Sequence, residues 1–203
     1  MPRLRPPEKS EILRLEPFAG LTLSQVVLPR SGGELDAAWA DLATQRCVGF
    51  DTESRPTFVK GEQSSGPDLV QFATAQRAYV FQLRHAAVQD CARAVLTAPG
   101  VLKVGFDLRQ DQSQLLSRLG VHAAPVLDLT RVFRDQGYPP TIGISSAVAI
   151  VFGQRFVKSK RVTTTNWSLE RLEPRQLLYA ANDAYAALRV MQALNLPLDA
   201  PPA

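Results

Sequence analysis

The sequence predicts a mixed α/β domain in which helices flank one β-sheet. A hairpin of two short strands, at 69–73 and 78–82, is followed by an alternation of strands and helices. The chain has 203 residues, of which 45% are hydrophobic and 21% charged, and this is ordinary globular composition with enough apolar surface for a sizeable core. We therefore expect residues 23–197 to form the domain, with 1–22 as an N-terminal arm and 198–203 as a tail.

Hydrophobic spacing and turn residues place the individual elements. Apolar residues at helical spacing indicate helices, whereas short apolar runs bounded by Gly or Pro indicate strands. The longest predicted helix starts beside Pro174 and ends before Pro197. In chain order, the predicted elements are a short helix at 8–15, a strand at 23–28, a helix at 34–45, strands at 47–53, 69–73 and 78–82, a helix at 88–97, a strand at 102–106, a helix at 108–119, a strand at 125–129, a helix at 143–152, a basic loop at 156–168 and a helix at 173–196.

Charge and cysteine content limit the partners and the compartment. The net charge of +4 and the isoelectric point near 9.3 favour an anionic partner such as nucleic acid. Cys47 and Cys91 form neither a metal pattern nor a disulfide framework, which indicates a reducing compartment. No run reaches the length of a membrane span, and residues 1–9 lack the features of a signal peptide. We expect a cytoplasmic protein with no membrane partner.

Two acids one residue apart follow the apolar strand that begins at Cys47. Because side chains on a strand alternate, Asp51 and Glu53 point to the same face, about 6.5 Å apart along the backbone. Two like charges at this spacing repel each other unless a cation lies between them, and oxygen ligands of this kind suit Mg²⁺. The alternative is a strand that ends in a solvated loop with both acids facing water.

A third acid lies on the apolar face of the predicted helix at 108–119. Asp111 follows Leu108 by three positions and precedes Leu115 by four, so it shares their face. A carboxylate on a buried face is costly unless it is paired or bound to metal. Asp107 stands where the residue that caps this helix is expected, and we predict that it has this structural role.

A fourth acid and a tyrosine lie on the longest predicted helix. Arg175, Asn182 and Arg189 mark its solvent side, while Tyr179 and Asp183 lie one turn apart at the edge of the opposite, apolar face. The apolar face contains Leu177, Ala181, Ala184, Leu188 and Met191. A Tyr–Asp pair buried for packing, or an edge acid that reaches water, is the alternative for this site taken alone.

These residues together match a known pattern. The chain resembles the DEDDy-type 3′–5′ exonucleases of the ribonuclease H-like fold, which use four acids and a tyrosine. This group includes the Werner-type exonuclease domain, ribonuclease D and the proofreading domain of bacterial DNA polymerase I. The three motifs are GFDTE, VGFDLRQD and YAANDAY, which occur in this order over residues 24–196, and the likeness is greatest to small stand-alone bacterial members. A sister group has histidine at the position of Leu178, so the chain resembles the tyrosine group.

The resemblance implies a catalytic set made of Asp51, Glu53, Asp111, Tyr179 and Asp183. It implies two divalent cations, Mg²⁺ or Mn²⁺, held by the four acids, and a tyrosine hydroxyl that orients the attacking water. One departure limits this inference: Phe106 and Asp107 stand where the polymerase-type domain has a polar residue followed by Asn, so contacts of that Asn are not carried over.

The basic loop before the third motif is a candidate contact for the nucleic-acid backbone. We predict that Lys158, Lys160 and Arg161 hold phosphates, with a solvated basic loop as the alternative. Lys60 is a further candidate, and Trp167 is expected to be buried rather than stacked on a base. The expected activity is 3′–5′ hydrolysis of DNA that releases nucleoside 5′-monophosphates. The alternatives are the same chemistry on RNA, or a binding module of this fold without catalysis.

Overall fold

The computed structural model describes residues 4–56, 66–158 and 160–196, without the side chain of Lys160. Lys60 and the expected tail at 198–203 therefore lie outside the described residues. The strands are β1 (Val26–Val27), β2 (Cys47–Glu53), β3 (Leu69–Ala73), β4 (Ala78–Gln82), β5 (Leu102–Gly105) and β6 (Val126–Asp128). The helices are α1 (Lys9–Ile12), α2 (Gly32–Ala43), α3 (Ala86–Thr97), α4 (Arg109–Leu119), α5 (Leu129–Asp135), α6 (Ile144–Phe152), α7 (Lys160–Thr163) and α8 (Pro174–Ala193).

Within these residues the six strands form one mixed sheet in the order β1-β4-β3-β2-β5-β6. β2, β3 and β4 are antiparallel neighbours, whereas β5 and β6 run parallel to β2 and β1 runs parallel to β4. Short apolar strands joined by the tight turn at 74–77 give the antiparallel half, and helical crossovers give the parallel half. The predicted mixed α/β architecture is confirmed.

The two faces of the sheet carry different helices. Val48 and Phe50 of β2 point into a core that contains Leu42 of α2, Val95 of α3 and Leu115 of α4. The opposite face of the sheet is covered by α8, whose Ala181 and Ala184 pack on the hairpin strands β3 and β4. Because strand side chains alternate, Gly49 and the two acids of β2 belong to the α8 face.

α8 lies unusually close to β2 because small residues meet at their crossing. A methyl group added at Gly49 would overlap the carbonyl oxygen of Ala184 and lie 2.7 Å from its carbonyl carbon. Ala184 and Ala187 of α8 are themselves buried there. The absence of a side chain at position 49 therefore allows the backbones of strand and helix to touch.

The N-terminal segment packs against α8 in part. The Leu21 amide donates to Asn182 Oδ1 at 2.7 Å, and Phe18 packs against Phe152, Phe156 and Tyr185. The prediction that Asn182 lies on the solvent side of α8 is therefore wrong, because a segment distant in sequence covers it. The boundaries of the domain stay a prediction.

Other elements differ from the predicted ones in length. The strand expected at 23–28 is a 3₁₀ turn at Leu23–Gln25 followed by the two residues of β1. The helix α5 was not predicted, and the basic loop contains the single turn α7. Both are short, so each offers too few periodic positions for a hydrophobic pattern to emerge. Among the described residues, no helix combines the length and the apolar character that crossing a membrane requires.

Replacing Gly49 by alanine tests the close approach of β2 and α8. We expect Gly49→Ala to lower the free energy of unfolding by about 3 kcal/mol or more, because backbone atoms rather than a flexible side chain must move. Urea unfolding measures this loss. The control is Gly33→Ala in the first turn of α2, where nothing lies within 4 Å of the added methyl, and it is expected to stabilise by up to about 1 kcal/mol. Equal stability of Gly49→Ala and the native protein would show that helix and strand are not in contact here.

Candidate active site

The carboxyl end of β2 presents two acids to the α8 face. Asp51 and Glu53 lie on alternate positions of the strand, directly opposite Gln71 and Leu69 of β3. Both carboxylates are only partly exposed, since β3 covers one side of the strand and α8 covers the face. The two acids lie on the same face of the sheet, as the alternation of side chains along a strand predicted.

α8 brings the third acid to the same place. Asp183 is 5% exposed, and one oxygen from each of Asp51, Glu53 and Asp183 lies within 4.8 Å of the others. Asp183 precedes Ala184, the residue whose backbone meets Gly49. The contact between helix and strand therefore fixes the distance between the carboxylates.

The remaining predicted acid, Asp111, lies beside this group on α4 and is not part of it. Asp111 accepts a hydrogen bond from the hydroxyl of Thr52, which is the residue between the two acids of β2. Its charge contributes to raising the pKa values of Asp51 and Glu53, which places it within electrostatic reach of both. Leu108 and Leu115 are buried on either side, as the predicted apolar face requires.

Asp107 does not cap α4, so this prediction is wrong. The helix begins after Leu108 and has no side-chain cap, whereas Asp107 has a left-handed backbone with a φ of 52°. The residue that organises the junction is Asp128 at the end of β6, which accepts hydrogen bonds from the amides of Asp107, Leu108 and Thr130 at 2.9–3.2 Å. Asp128 thus anchors the start of the helix that carries Asp111.

Tyr179 lies one turn before Asp183 on α8, at the edge of the acidic group. Its hydroxyl accepts a hydrogen bond from Thr163 of α7 at 3.2 Å, and its ring packs 5.9 Å from the ring of Trp167. Trp167 is 1% exposed, which confirms that it belongs to the core. Burial, followed by the negative charge of Asp183, raises the pKa of Tyr179 to about 12, so the hydroxyl keeps its proton at neutral pH.

Lys158 lies inside the acidic group, which its position in a predicted loop did not reveal. Its Nζ is 2.8 Å from Asp183 Oδ2 and 5.4 Å from the centre of the Tyr179 ring. Burial alone would lower the pKa of Lys158, but the charge of Asp183 and its other acidic neighbours outweighs burial and raises it. The ammonium group is therefore a permanent cation among the carboxylates. Arg161 is exposed on α7.

Burial and mutual repulsion favour the protonated forms of the three acids when no cation besides Lys158 is present. Burial, followed by the charges of Asp183 and Glu53, raises the pKa of Asp51 well above its ordinary value. For Glu53 the same causes, burial first and then Asp183, raise the pKa from 4.5 to about 8. Burial also raises the pKa of Asp183 despite the nearby Lys158. Such a cluster gains free energy from a bound cation.

The donor atoms fit a hard divalent metal ion. Asp183 Oδ1 is buried and has no hydrogen-bond partner among the described residues, although Oδ2 of the same group is paired with Lys158. A buried carboxylate oxygen without a partner is costly, and metal coordination would satisfy it. Oxygen-only ligands from three carboxylates are the chemistry that Mg²⁺ and Mn²⁺ prefer. The cluster of Asp51, Glu53 and Asp183 could therefore bind a metal ion.

Gln71 is a polar residue at this site that sequence reasoning missed. It lies opposite Asp51 in the register of β2 and β3, is fully buried, and neither its amide nitrogen nor its amide oxygen has a partner among the described residues. The signal in the sequence is a single glutamine inside the otherwise apolar strand LVQFA. A polar residue in the middle of a buried strand, level with an acid on its neighbour, marks a site where something polar is expected to bind.

Comparison with known proteins identifies the family. A family model described as 3′–5′ exonuclease matches residues 29–199, which is most of the chain. The chain belongs to this 3′–5′ exonuclease family, so the expected enzyme class, a phosphodiester hydrolase, is confirmed. The three acids brought together in the structure belong to the motifs on which the resemblance was based.

Individual relatives support the same assignment. The mouse bifunctional 3′–5′ exonuclease/ATP-dependent helicase WRN is 30% identical over 150 residues, which cover 73% of this chain and 11% of the mouse protein. A 3′–5′ exonuclease of Arabidopsis thaliana is 28% identical over 150 residues, covering 73% of this chain and 52% of the plant protein. The chain thus spans about half or less of the length of these relatives. The structure of Trypanosoma brucei RNase D in complex with RNA U12 has a TM-score of 0.73 at 22% identity, over 95% of this chain and 66% of that one, which confirms the fold.

The raised pKa of Glu53 predicts how pH affects the metal-free protein. The folded state holds its proton up to about pH 8, whereas the unfolded state releases it near 4.5, so the folded state binds more protons between these values. The free energy of unfolding should therefore fall as pH rises from 4.5 to 8, on the order of 1–3 kcal/mol. Urea unfolding in EDTA at pH 5 and pH 8.5 measures this.

Two controls accompany the pH measurement. Glu53→Gln should reduce the dependence, because one of the titrating groups is gone while Asp51 and Asp183, whose pKa values are also raised, remain. Addition of Mg²⁺ at pH 8.5 should restore stability, because the folded carboxylates bind the ion and the unfolded chain does not. A metal-free protein that becomes more stable between pH 5 and pH 8.5 would contradict the buried and repelling arrangement.

Proposed function

We propose that this chain is a metal-dependent 3′–5′ exonuclease that removes nucleoside 5′-monophosphates from the 3′ end of DNA with two divalent cations, Mg²⁺ or Mn²⁺. The observation that carries this proposal is the buried group of Asp51, Glu53 and Asp183, with ligand oxygens within 4.8 Å of one another and one of them without a partner. Membership of the 3′–5′ exonuclease family supports it.

The acids divide between the two cations by their positions. Asp51, Glu53 and Asp183 would hold one ion, and Asp111, whose carboxylate accepts a hydrogen bond from Thr52, would hold the other together with Asp51. Two cations bound there would lower the pKa of the attacking water and stabilise charge on the attacking and leaving oxygens of the phosphodiester. The number and identity of the ions are part of this proposal.

Tyr179 supplies a hydroxyl at the edge of the acidic group. Because its pKa is raised to about 12, this hydroxyl remains protonated at neutral pH and can donate a hydrogen bond. Its anchoring by Thr163 and by the ring of Trp167 restricts its movement. We assign it the role of orienting the attacking water.

DNA is the proposed substrate, and RNA is the second candidate. The resemblance of the motifs to the proofreading domain of bacterial DNA polymerase I supports DNA. The TM-score of 0.73 with the Trypanosoma brucei RNase D that was solved in complex with RNA U12 is the observation that favours RNA. The relative rates of digestion of DNA and RNA strands decide between the two.

Digestion of labelled strands tests the activity and the substrate. DNA and RNA strands labelled at either end are incubated with Mg²⁺, Mn²⁺ or EDTA, and shortening from the 3′ end is expected only with metal. Asp51→Ala should lose at least about a thousandfold in rate, because the group shared by both proposed ion sites is removed. Tyr179→Phe should lose about ten- to a hundredfold with the fold intact, because water is held less well.

The matched control is Asp36→Asn, which removes an exposed acid of α2 on the other side of the sheet and should leave the rate unchanged. Full activity of Asp51→Ala would reject the assigned site. Binding of nucleic acid without shortening under any metal would instead favour an inactive binding module.

The three basic residues near the site are proposed to hold the nucleic-acid backbone. Lys158 is already beside Asp183, and Arg161 is exposed on α7, next to the buried Val162 that packs with Tyr179. Lys160 is included by its place in the sequence. Phosphate contacts of this kind supply affinity without sequence preference.

The salt dependence of binding tests these contacts. Replacing Lys158, Lys160 and Arg161 together by glutamine should reduce the slope of log affinity against log salt by about 2, since each phosphate contact on a single strand contributes about 0.7. Fluorescence anisotropy of a labelled strand in EDTA measures the slope without turnover. Glutamine at the exposed Lys9, Arg14 and Arg134 gives a control with the same net charge. An unchanged slope in the first variant would remove these residues from the interface.

A further inference from the structure

A basic cleft opens beside the acidic group, and the mechanism above does not use it. It has a volume of about 310 Å³ and is lined by three arginines, Arg55, Arg84 and Arg118, together with Asp68, Gln82 and Trp167. It is separate from the pockets that contain Asp51, Tyr179 and Asp183. We call it the arginine cleft.

The arginine cleft lies at the same end of the sheet as the acids. The Asp68 amide donates to the Glu53 carbonyl at 2.8 Å. Gln82 of β4 pairs with Leu69 of β3, and Leu69 in turn lies opposite Glu53 of β2. Arg55 follows Glu53 by two residues. On the other side, Trp167 connects the cleft with Tyr179, whose ring is 5.9 Å away. A nucleic-acid strand whose 3′ end lies at the acids can therefore reach the arginine cleft directly.

Two residues that line the cleft carry a buried donor without an acceptor among the described residues. One is Arg118 Nε, whose guanidinium otherwise donates to the Leu83 carbonyl at 3.1 Å through Nη2. The other is Nε1 of Trp167, a side chain that is 1% exposed. Neither group can accept a hydrogen bond, so both lack an acceptor, and a buried donor without an acceptor is destabilising.

The charges around the cleft also call for an anion. Asp68 lines the cleft and accepts a hydrogen bond from the backbone amide of Arg55 at 2.8 Å, so the three arginines stand against two acids, Asp68 and Glu170. Glu170 pairs with Arg84 at 3.9 Å, but its side chain is 80% exposed, and an exposed pair of this length contributes little. Arg84 is therefore available to another acceptor. Guanidinium groups and N–H donors around a small cleft match the oxygens of a phosphate.

We propose that the arginine cleft binds a backbone phosphate of the substrate strand, on the 5′ side of the nucleotide being removed. This inference rests on the proposed function, since a strand with its 3′ end at the acids has no nucleotide beyond that end. Every other phosphate of that strand lies on the 5′ side. The contact recognises charge rather than base or sugar, so DNA and RNA are held equally by it. The chain accordingly binds oligonucleotides of several residues more tightly than dinucleotides.

The test compares strand lengths on protein that cannot cleave. Labelled DNA and RNA strands of two and of twelve nucleotides are bound to Asp51→Asn protein in Mg²⁺, with and without the changes Arg55→Glu and Arg84→Glu. Arg118 is kept, because its bond to Leu83 supports the fold. We expect the double change to weaken binding of the twelve-residue strands about tenfold, equally for DNA and RNA, and to weaken dinucleotide binding far less.

The matched control replaces two exposed arginines elsewhere by glutamate, Arg14 and Arg134. Like Arg84, Arg134 takes part in an exposed ion pair, in its case with Asp135. This control should leave both affinities unchanged, and urea unfolding of each variant verifies that the fold is kept. Equal weakening of short and long strands, equal weakening by the control, or no weakening at all would each overturn the proposal.

Hydrolysis by the native chain, measured on the same strands, separates this proposal from the proposed function. Cleavage from the 3′ end without any effect of the cleft variant rejects the cleft alone. A length-dependent loss of binding in a chain that cleaves no strand retains the cleft as a phosphate site and rejects the exonuclease assignment.

Discussion

The backbone contact between Gly49 of β2 and Ala184 of α8 is the constraint on which the rest of the site depends. A helix normally packs on a sheet through intervening side chains, but here the strand has none at the crossing, and the helix presents alanines. The contact sets the height of α8 above the sheet. Asp183, one residue before the contact, is consequently held against Asp51 and Glu53, which follow Gly49 at alternate positions. Packing and chemistry are thus determined by the same few residues.

That packing brings like charges together, and two features of the chain offset part of the repulsion. The pKa values of Asp51, Glu53 and Asp183 rise, so that protons neutralise part of the charge. Lys158 places an ammonium group on Asp183. Asp183 Oδ1 and the side-chain amide of Gln71 still have no hydrogen-bond partner among the described residues, and this cost is not offset. Stability is thereby given up at the place where a cation and its ligands are expected, which is a common arrangement in functional sites.

Much of this site followed from the sequence because it depends on local periodicity. The alternation of a strand placed Asp51 and Glu53 on one face, and helical spacing placed Asp183 toward the fold. What depends on contacts between distant segments did not follow. Asn182 was predicted to face solvent, but the segment that contains Leu21 lies over it. Lys158 lies in a loop, as predicted, but the sequence did not show that it pairs with Asp183. Asp107 failed as a helix cap because Asp128, 21 residues later in the chain, binds its amide instead.

The ion pair of Lys158 with Asp183 divides the two oxygens of one carboxylate between two tasks. Oδ2 is held by the ammonium group, and Oδ1 is the oxygen that has no partner among the described residues. A divalent ion bound at Oδ1 would therefore share Asp183 with Lys158, and the repulsion between the two cations would lower the affinity of the site for that ion. The lysine that helps to hold the acids in place would thus also limit how tightly they bind a metal.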